Sequence, residues 1–182
     1  MHNPLLGISG QLISAAKKIH LVVMDVDGVL TDGSLYYSST GEEVKRFNIK
    51  DGLGIKLLQR AGIQTAIITG RISTMVEKRA TELGIELLVQ GREDKLSALK
   101  ELTSGLEISL DRVAYIGDDL PDLSAIRAVG LGVTVGDGNA QVADHADLQT
   151  RACGGKGAVR ELAELILAAQ DKYNELTAPY LS

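Results

Sequence analysis

The stretch HLVVMDVDGVLTDG, residues 20–33, decides the reading of the chain. Its first six residues, HLVVMD (20–25), are an apolar run without alternation, the pattern of a parallel strand covered on both faces. Asp25 ends that run and Asp27 follows two positions on, with Gly28 behind it. On extended chain, residues i and i+2 point to one side, so this strand tip presents two carboxylates together. The same unit recurs in QTAIITG (64–70), ELLVQG (86–91), VAYIGD (113–118) and LGVTVG (131–136). Between these runs, 51–61, 71–83, 94–104 and 119–128 fit amphipathic helices. In 71–83, for example, Ile72, Met75, Val76, Arg79 and Leu83 form one stripe. Strictly alternating strands and helices predict an α/β fold: a Rossmann-like, three-layer open parallel sheet with helices on both faces. Ligands in such sheets sit beyond the C-terminal strand ends, near the point where the strand order reverses.

Two segments depart from the alternation. Residues 34–48 hold two short β-prone runs around Thr40-Gly41-Glu42 and read as an inserted β-hairpin. Residues 156–176 read as a long C-terminal helix with Val159, Leu162, Leu165, Ile166 and Ala169 on one face. The tail follows, and Pro179 stops any helix there. Residues 1–182 together read as one domain.

Composition narrows the function classes. The chain of 182 residues carries 45% hydrophobic residues but only 3% aromatics, with no Trp and 20 Gly, so its core is Ala, Val, Ile and Leu. A chain of this length buries roughly 70% of its unfolded surface, which excludes disorder and a disulfide-stapled mini-scaffold. One cysteine, Cys153, makes neither an internal disulfide nor a thiolate metal site, and favours a reducing compartment. The net charge of −5 argues against a nucleic-acid partner, since such proteins show a basic face. The N-terminus lacks a basic region ahead of its apolar residues, and Lys17 and Lys18 follow them instead, the wrong order for a signal peptide. No window approaches ~20 uninterrupted apolar residues. The expectation is a cytoplasmic protein without a membrane partner.

The chemistry lies in the strand tips. Asp25 and Asp27 end the first strand, and Asp118, Asp119 and Asp122 follow another in GDDLPD. Both groups fall on the C-terminal edge of one sheet. Two unit charges 4 Å apart repel by about 4 kcal/mol at an effective dielectric of 20. A hard divalent cation bound through oxygen relieves that repulsion, and Mg²⁺ adds substrate phosphate to such a shell. A single strand-end Asp is an ordinary helix cap; two clusters exceed what capping needs. Thr69, with the backbone N–H groups of Gly70 and Arg71 behind it, offers an anion site at a helix start. Lys95 opens a helix against its macrodipole, which makes a purely structural role less natural.

In this order, Asp-x-Asp, Thr, Lys and Gly-Asp-Asp on successive strand tips resemble the haloacid-dehalogenase-like phosphohydrolases. The string DVDGVLTDG, KDGLGIKLL, ITGR, GDDLPD and GGKGAVRE is similar, more narrowly, to the capless 3-deoxy-D-manno-octulosonate 8-phosphate phosphatases of bacterial lipopolysaccharide synthesis. The spacing between the motifs leaves no room for a cap domain. This resemblance implies Asp25 as nucleophile and Asp27 as the proton carrier. It implies Mg²⁺ held by Asp25, the backbone carbonyl of Asp27 and Asp118, with Asp119 and Asp122 behind them. Thr69 and Lys95 would neutralise the transferring phosphoryl group. Arg71 stands where the octulosonate enzymes carry Arg and the related nonulosonate 9-phosphate phosphatases carry Glu. With Gly70 and Arg79 it is expected to bind the sugar acid. The resemblance further implies a homotetramer with active sites at subunit interfaces. Five of the six aromatics, Tyr36, Tyr37, Phe47, Tyr173 and Tyr180, lie in the hairpin and C-terminal segment that would form those contacts. Two other readings stay open: a 2-keto-3-deoxynonulosonate 9-phosphate or broader sugar-phosphate phosphatase on the same scaffold, and a phospho-acceptor receiver module, which also clusters Asp, Thr and Lys at strand tips.

Overall fold

A computed structural model describes residues 3–39 and 43–181. At its centre β1 (Leu21–Met24) is wholly buried and pairs in parallel with a strand on each side. On one side lie β4 (Gln64–Ile68) and then β5 (Leu87–Val89); on the other β6 (Val113–Gly117), β7 (Leu131–Thr134) and β8 (Leu148–Gln149). Every adjacent pair in this six-stranded sheet is parallel. The chain moves outward from β1 to β5, then returns to β6 on the other flank. The order therefore reverses at β1, and a crevice opens at its C-terminal end.

Successive residues of β1 face opposite layers. Val22 and Met24 belong to one apolar cluster, with α1 (Gly10–Ala16), α2 (Ile49–Arg60), α3 (Thr74–Leu83) and α7 (Ala158–Ala169). Leu21 and Val23 belong to the other, with α4 (Lys95–Gly105), α5 (Leu123–Ile126) and α6 (Ala140–Ala143). Both faces being covered is why the strand sequences carry no polar alternation. The core is aliphatic, as its composition requires; Tyr115 is the one aromatic among its fully buried large side chains.

The hairpin strands β2 (Tyr36–Tyr37) and β3 (Glu43–Val44) pair antiparallel outside the main sheet. The turn expected at Thr40–Glu42 lies outside the described residues. Among the described residues, only this hairpin and α2 stand between β1 and β4, and the next strands are separated by one helix, with a 3-10 turn beside it before β6 and before β7, so no cap is present among them.

Several boundaries differ from the sequence reading. The helix expected over 71–83 begins at Thr74; Ile72 precedes it and is exposed, so it is not on the buried stripe. Thr69 therefore does not adjoin a helix N-terminus, and a turn intervenes. The helix expected over 119–128 is a 3-10 turn at Leu120–Asp122 followed by the four-residue α5, because Pro121 cannot sit in a helix interior. The C-terminal helix ends at Ala169. Asp171 takes φ 60, a left-handed conformation that breaks the helix before α8 (Tyr173–Thr177). Among the described residues, α1, the four-residue α6, the 3-10 turn at Leu110–Arg112 and the two-residue β8 were not read.

Candidate active site

The tips of β1, β4 and β6 and the start of α4 converge on one open cleft of about 570 Å³. Asp25, Asp27, Thr69, Gly70, Arg71, Glu93, Lys95, Asp118, Asp119, Pro121 and Asp122 line it. Nine of these eleven are sequence-predicted site residues; Glu93 and Pro121 are additions.

Asp25 leaves β1 directly, its N–H donating to the Ile116 carbonyl at 3.1 Å. The chain then turns tightly, with the Val26 carbonyl accepting from Val29, Leu30 and Thr31. Gly28 sits in that turn with φ +88, and a Cβ there would lie 2.1 Å from Asp118 Oδ2. Only glycine lets Asp118 approach the Asp25–Asp27 loop. Gly154 presses on the same loop from behind, since a Cβ there would stand 1.8 Å from the Gly28 carbonyl oxygen. Gly154 and Gly155 thus serve close packing, whereas Gly157 meets nothing within 4 Å and takes φ +108 instead.

Carboxylate oxygens of Asp25, Asp118 and Asp122 lie within 4.8 Å of one another. Lys95 Nζ stands among them, 2.8 Å from Asp25 Oδ2 and 2.6 Å from Asp122 Oδ1. Asp122 is tied down on all sides. It also accepts from the Tyr115 hydroxyl at 2.7 Å and from the backbone N–H groups of Asp118 and Asp119 at 3.2 and 3.4 Å. Asp122 is therefore part of the carboxylate cluster itself, where the sequence placed it behind. Asp119 lies more exposed and accepts from Asn139 Nδ2 at 3.0 Å.

This crowding shifts protonation. Burial, with the Asp122 carboxylate adding to it, pushes the Asp25 carboxyl up to about 6 despite the Lys95 ammonium. The same two causes raise Asp118 to about 7. Burial alone would lower Lys95, but the Asp25 and Asp122 carboxylates beside it win and hold it above its ordinary value. Burial and the neighbouring carboxylates also keep the Tyr115 phenol protonated, so it remains a donor to Asp122.

The cluster fits a small hard cation. Its donors are all carboxylate oxygens, the like charges resist ionisation, and Asp25 Oδ1 is buried without a hydrogen-bond partner. Asp27 is the exception at this strand tip. Its carboxylate contacts the Lys45 ammonium, from the hairpin, and lies outside the triad. Thr69, buried and polar, faces the cleft from the tip of β4.

Arg71 lines the cleft and Arg79 does not. The Arg79 guanidinium lies over the Phe47 ring at 5.8 Å and pairs with Glu82 at 3.3 Å. Its helical direction carries it toward Gly52 of α2, away from the cleft lining expected of it. Lys45 and Tyr115 were missed; the sequence shows nothing that pairs Lys45 with Asp27.

Comparison with known proteins agrees with this geometry. Residues 88–161 match the model of the haloacid dehalogenase-like hydrolases. The 3-deoxy-D-manno-octulosonate 8-phosphate phosphatase of Escherichia coli strain K12 is 46% identical over 168 residues, covering 92% of this chain and 89% of its own length. The Moraxella catarrhalis enzyme of that name, solved with magnesium, phosphate and KDO, superposes with a TM-score of 0.92 at 50% identity, covering 93% of this chain and 98% of its own. The cobalt-bound Haemophilus influenzae phosphatase gives 0.88 at 40% identity, covering 92% and 99%. Sheet order, strand-tip acids and sequence identity together place the chain in the 3-deoxy-D-manno-octulosonate 8-phosphate phosphatase family of haloacid dehalogenase-like hydrolases.

Proposed function

We propose that the protein is a Mg²⁺-dependent phosphomonoesterase that hydrolyses 3-deoxy-D-manno-octulosonate 8-phosphate to the free sugar acid and phosphate, in lipopolysaccharide biosynthesis. The observation that carries this is Asp25, a buried carboxylate with one oxygen on Lys95 and the other unpartnered, at the mouth of an open acidic cleft. Asp25 attacks phosphorus and the sugar oxygen departs, giving an aspartyl-phosphate. Splitting one displacement into two lowers each barrier. Asp27 donates a proton to the departing sugar oxygen, then takes one from the water that hydrolyses the intermediate. Lys95 and Thr69 face the transferring phosphoryl oxygens and offset their charge. Asp25, Asp118 and the Asp27 carbonyl would hold Mg²⁺, which supplies further charge neutralisation at the phosphoryl group. Asp122 orients Lys95, and Asp119 positions groups at the rim. Gly70 leaves backbone open to the phosphate, and Arg71 presents a planar fork suited to the sugar carboxylate.

The protein is read as one domain that assembles as a cytoplasmic homotetramer. Tyr37 is 70% and Val44 58% exposed on the hairpin, beside exposed Leu35 and Tyr36. Exposed apolar side chains of this kind, Tyr36 and Val44 paired across the hairpin with Leu35 and Tyr37 on the alternate positions, support a subunit contact. Among the described residues, none of the C-terminal segment lines its own site. Tyr180 accepts from Arg60 at the far end of α2.

Phosphate release from a panel of keto-acid sugar phosphates, with Mg²⁺ and with chelator, tests the reading. We expect turnover to be greatest on the octulosonate ester, to vanish with chelator, and to fall by at least about 10³-fold in Asp25→Asn. Near-normal release by purified Asp25→Asn refutes the mechanism.

A further inference from the structure

Lys45 lies one residue beyond β3, on the outgoing limb of the hairpin. Its side chain is 1% exposed, and its ammonium contacts the carboxylate of Asp27, which is 23% exposed on the cleft wall. An ammonium buried without hydrogen-bond acceptors is strongly destabilising, so its contact with the Asp27 carboxyl group is an organised feature. It also separates two acids that the chain delivers together. Asp25 and Asp27 leave the same strand tip, yet only Asp25 joins Asp118 and Asp122 within 4.8 Å. Beside such a cluster, a second carboxylate at the same tip is itself a hard-cation ligand. Lys45 gives it another partner.

We propose that Lys45 is a positioning residue for Asp27: it holds the Asp27 carboxyl group off the Asp25–Asp118–Asp122 cluster, on the cleft wall, where it serves the leaving group. The inference rests on the assignment of Asp27 as proton carrier. In the step it serves, the Asp25–phosphorus bond forms and the phosphorus–sugar oxygen bond breaks. The proton of the Asp27 carboxylic acid passes to the sugar oxygen, leaving Asp27 ionised. In the second step water adds to phosphorus, its proton returns to Asp27, and Asp25 is released as carboxylate. The hairpin, outside the main sheet, thus reaches the chemistry through the Lys45 side chain.

The leaving group separates positioning from mere anchoring of the hairpin. Nitrophenolate departs without a proton, whereas a sugar alkoxide requires one. Since kcat/KM reports only steps through leaving-group departure, the shared hydrolysis step does not mask the difference. Wild type, Asp27→Asn, Lys45→Met, Lys45→Gln and Lys45→Arg are compared on 3-deoxy-D-manno-octulosonate 8-phosphate and on 4-nitrophenyl phosphate. In Lys45→Met and Lys45→Gln we expect kcat/KM to fall about 10- to 100-fold on the sugar phosphate and no more than about threefold on the nitrophenyl ester. Lys45→Arg should recover much of the loss. Equal losses on both esters, including loss of all activity through misfolding, overturn the proposal, as does no loss on either. Selective loss in Asp27→Asn with uniform losses in the Lys45 variants overturns the role of Lys45 alone. Absence of selectivity in Asp27→Asn overturns the Asp27 assignment and this inference with it.

Discussion

Asp25 and Asp118 occupy surroundings that penalise their own charge, and that has a consequence for stability. Their folded values of about 6 and about 7 stand above the ordinary 3.8, raised by burial and by Asp122. Between those limits the folded chain binds more protons than the unfolded one, so their contribution to stability is present at low pH and is lost as pH rises toward 7. A divalent cation competes with those protons. In thermal melts, Mg²⁺ should therefore raise Tm more at pH 7.5 than at pH 5, and Asp118→Asn should shrink that difference. An equal Mg²⁺ effect at both pH values contradicts the coupling. Asp25, Thr69, Lys95 and Asp118 were legible in the sequence because each ends or follows an apolar run, and a parallel sheet brings such ends to one edge. Lys45 and Tyr115 were not, because their partners Asp27 and Asp122 are reached only through the fold. The placement of Arg79 beside Phe47 and Glu82 was not legible for the converse reason: its distance from Arg71 in sequence says little about a helix that starts only at Thr74.

Among the elements, α7 shows how a motif residue can act on architecture. Asp51, buried in α2, accepts from the backbone N–H groups of Arg160 at 2.8 Å and Gly157 at 3.3 Å, capping α7 from another helix. Gly157, the residue before α7, has no side chain to do this. Asp51→Ala should cost about 1–2 kcal/mol in denaturant unfolding, with KM for the sugar phosphate nearly unchanged. A large KM effect at unchanged stability would assign Asp51 to substrate instead. The sequence marked Asp51 only as part of KDGLGIKLL. Capping across more than a hundred residues is invisible to local pattern. Periodicity found the long strands and helices, yet lost β8, whose two residues are too short to show any period.

For the whole molecule, the exposed apolar residues of the hairpin are what the proposed homotetramer would cover. Tyr37→Asp should shift the protein from tetramer toward smaller species in analytical ultracentrifugation, and lower turnover of the sugar phosphate with it. A tetramer unchanged by Tyr37→Asp excludes the hairpin as the contact. The sequence by itself determined the layered α/β class, the strands that carry acids, and the aliphatic core, because burial on both faces and turn chemistry leave local signatures. Only the tertiary structure decided that β1 lies between β4 and β6. It also decided that Asp122 joins the carboxylate cluster and that a hairpin lysine contacts Asp27. These are pairings between distant residues, and their free energy arises only when the packed sheet removes the charges from water and leaves them to one another.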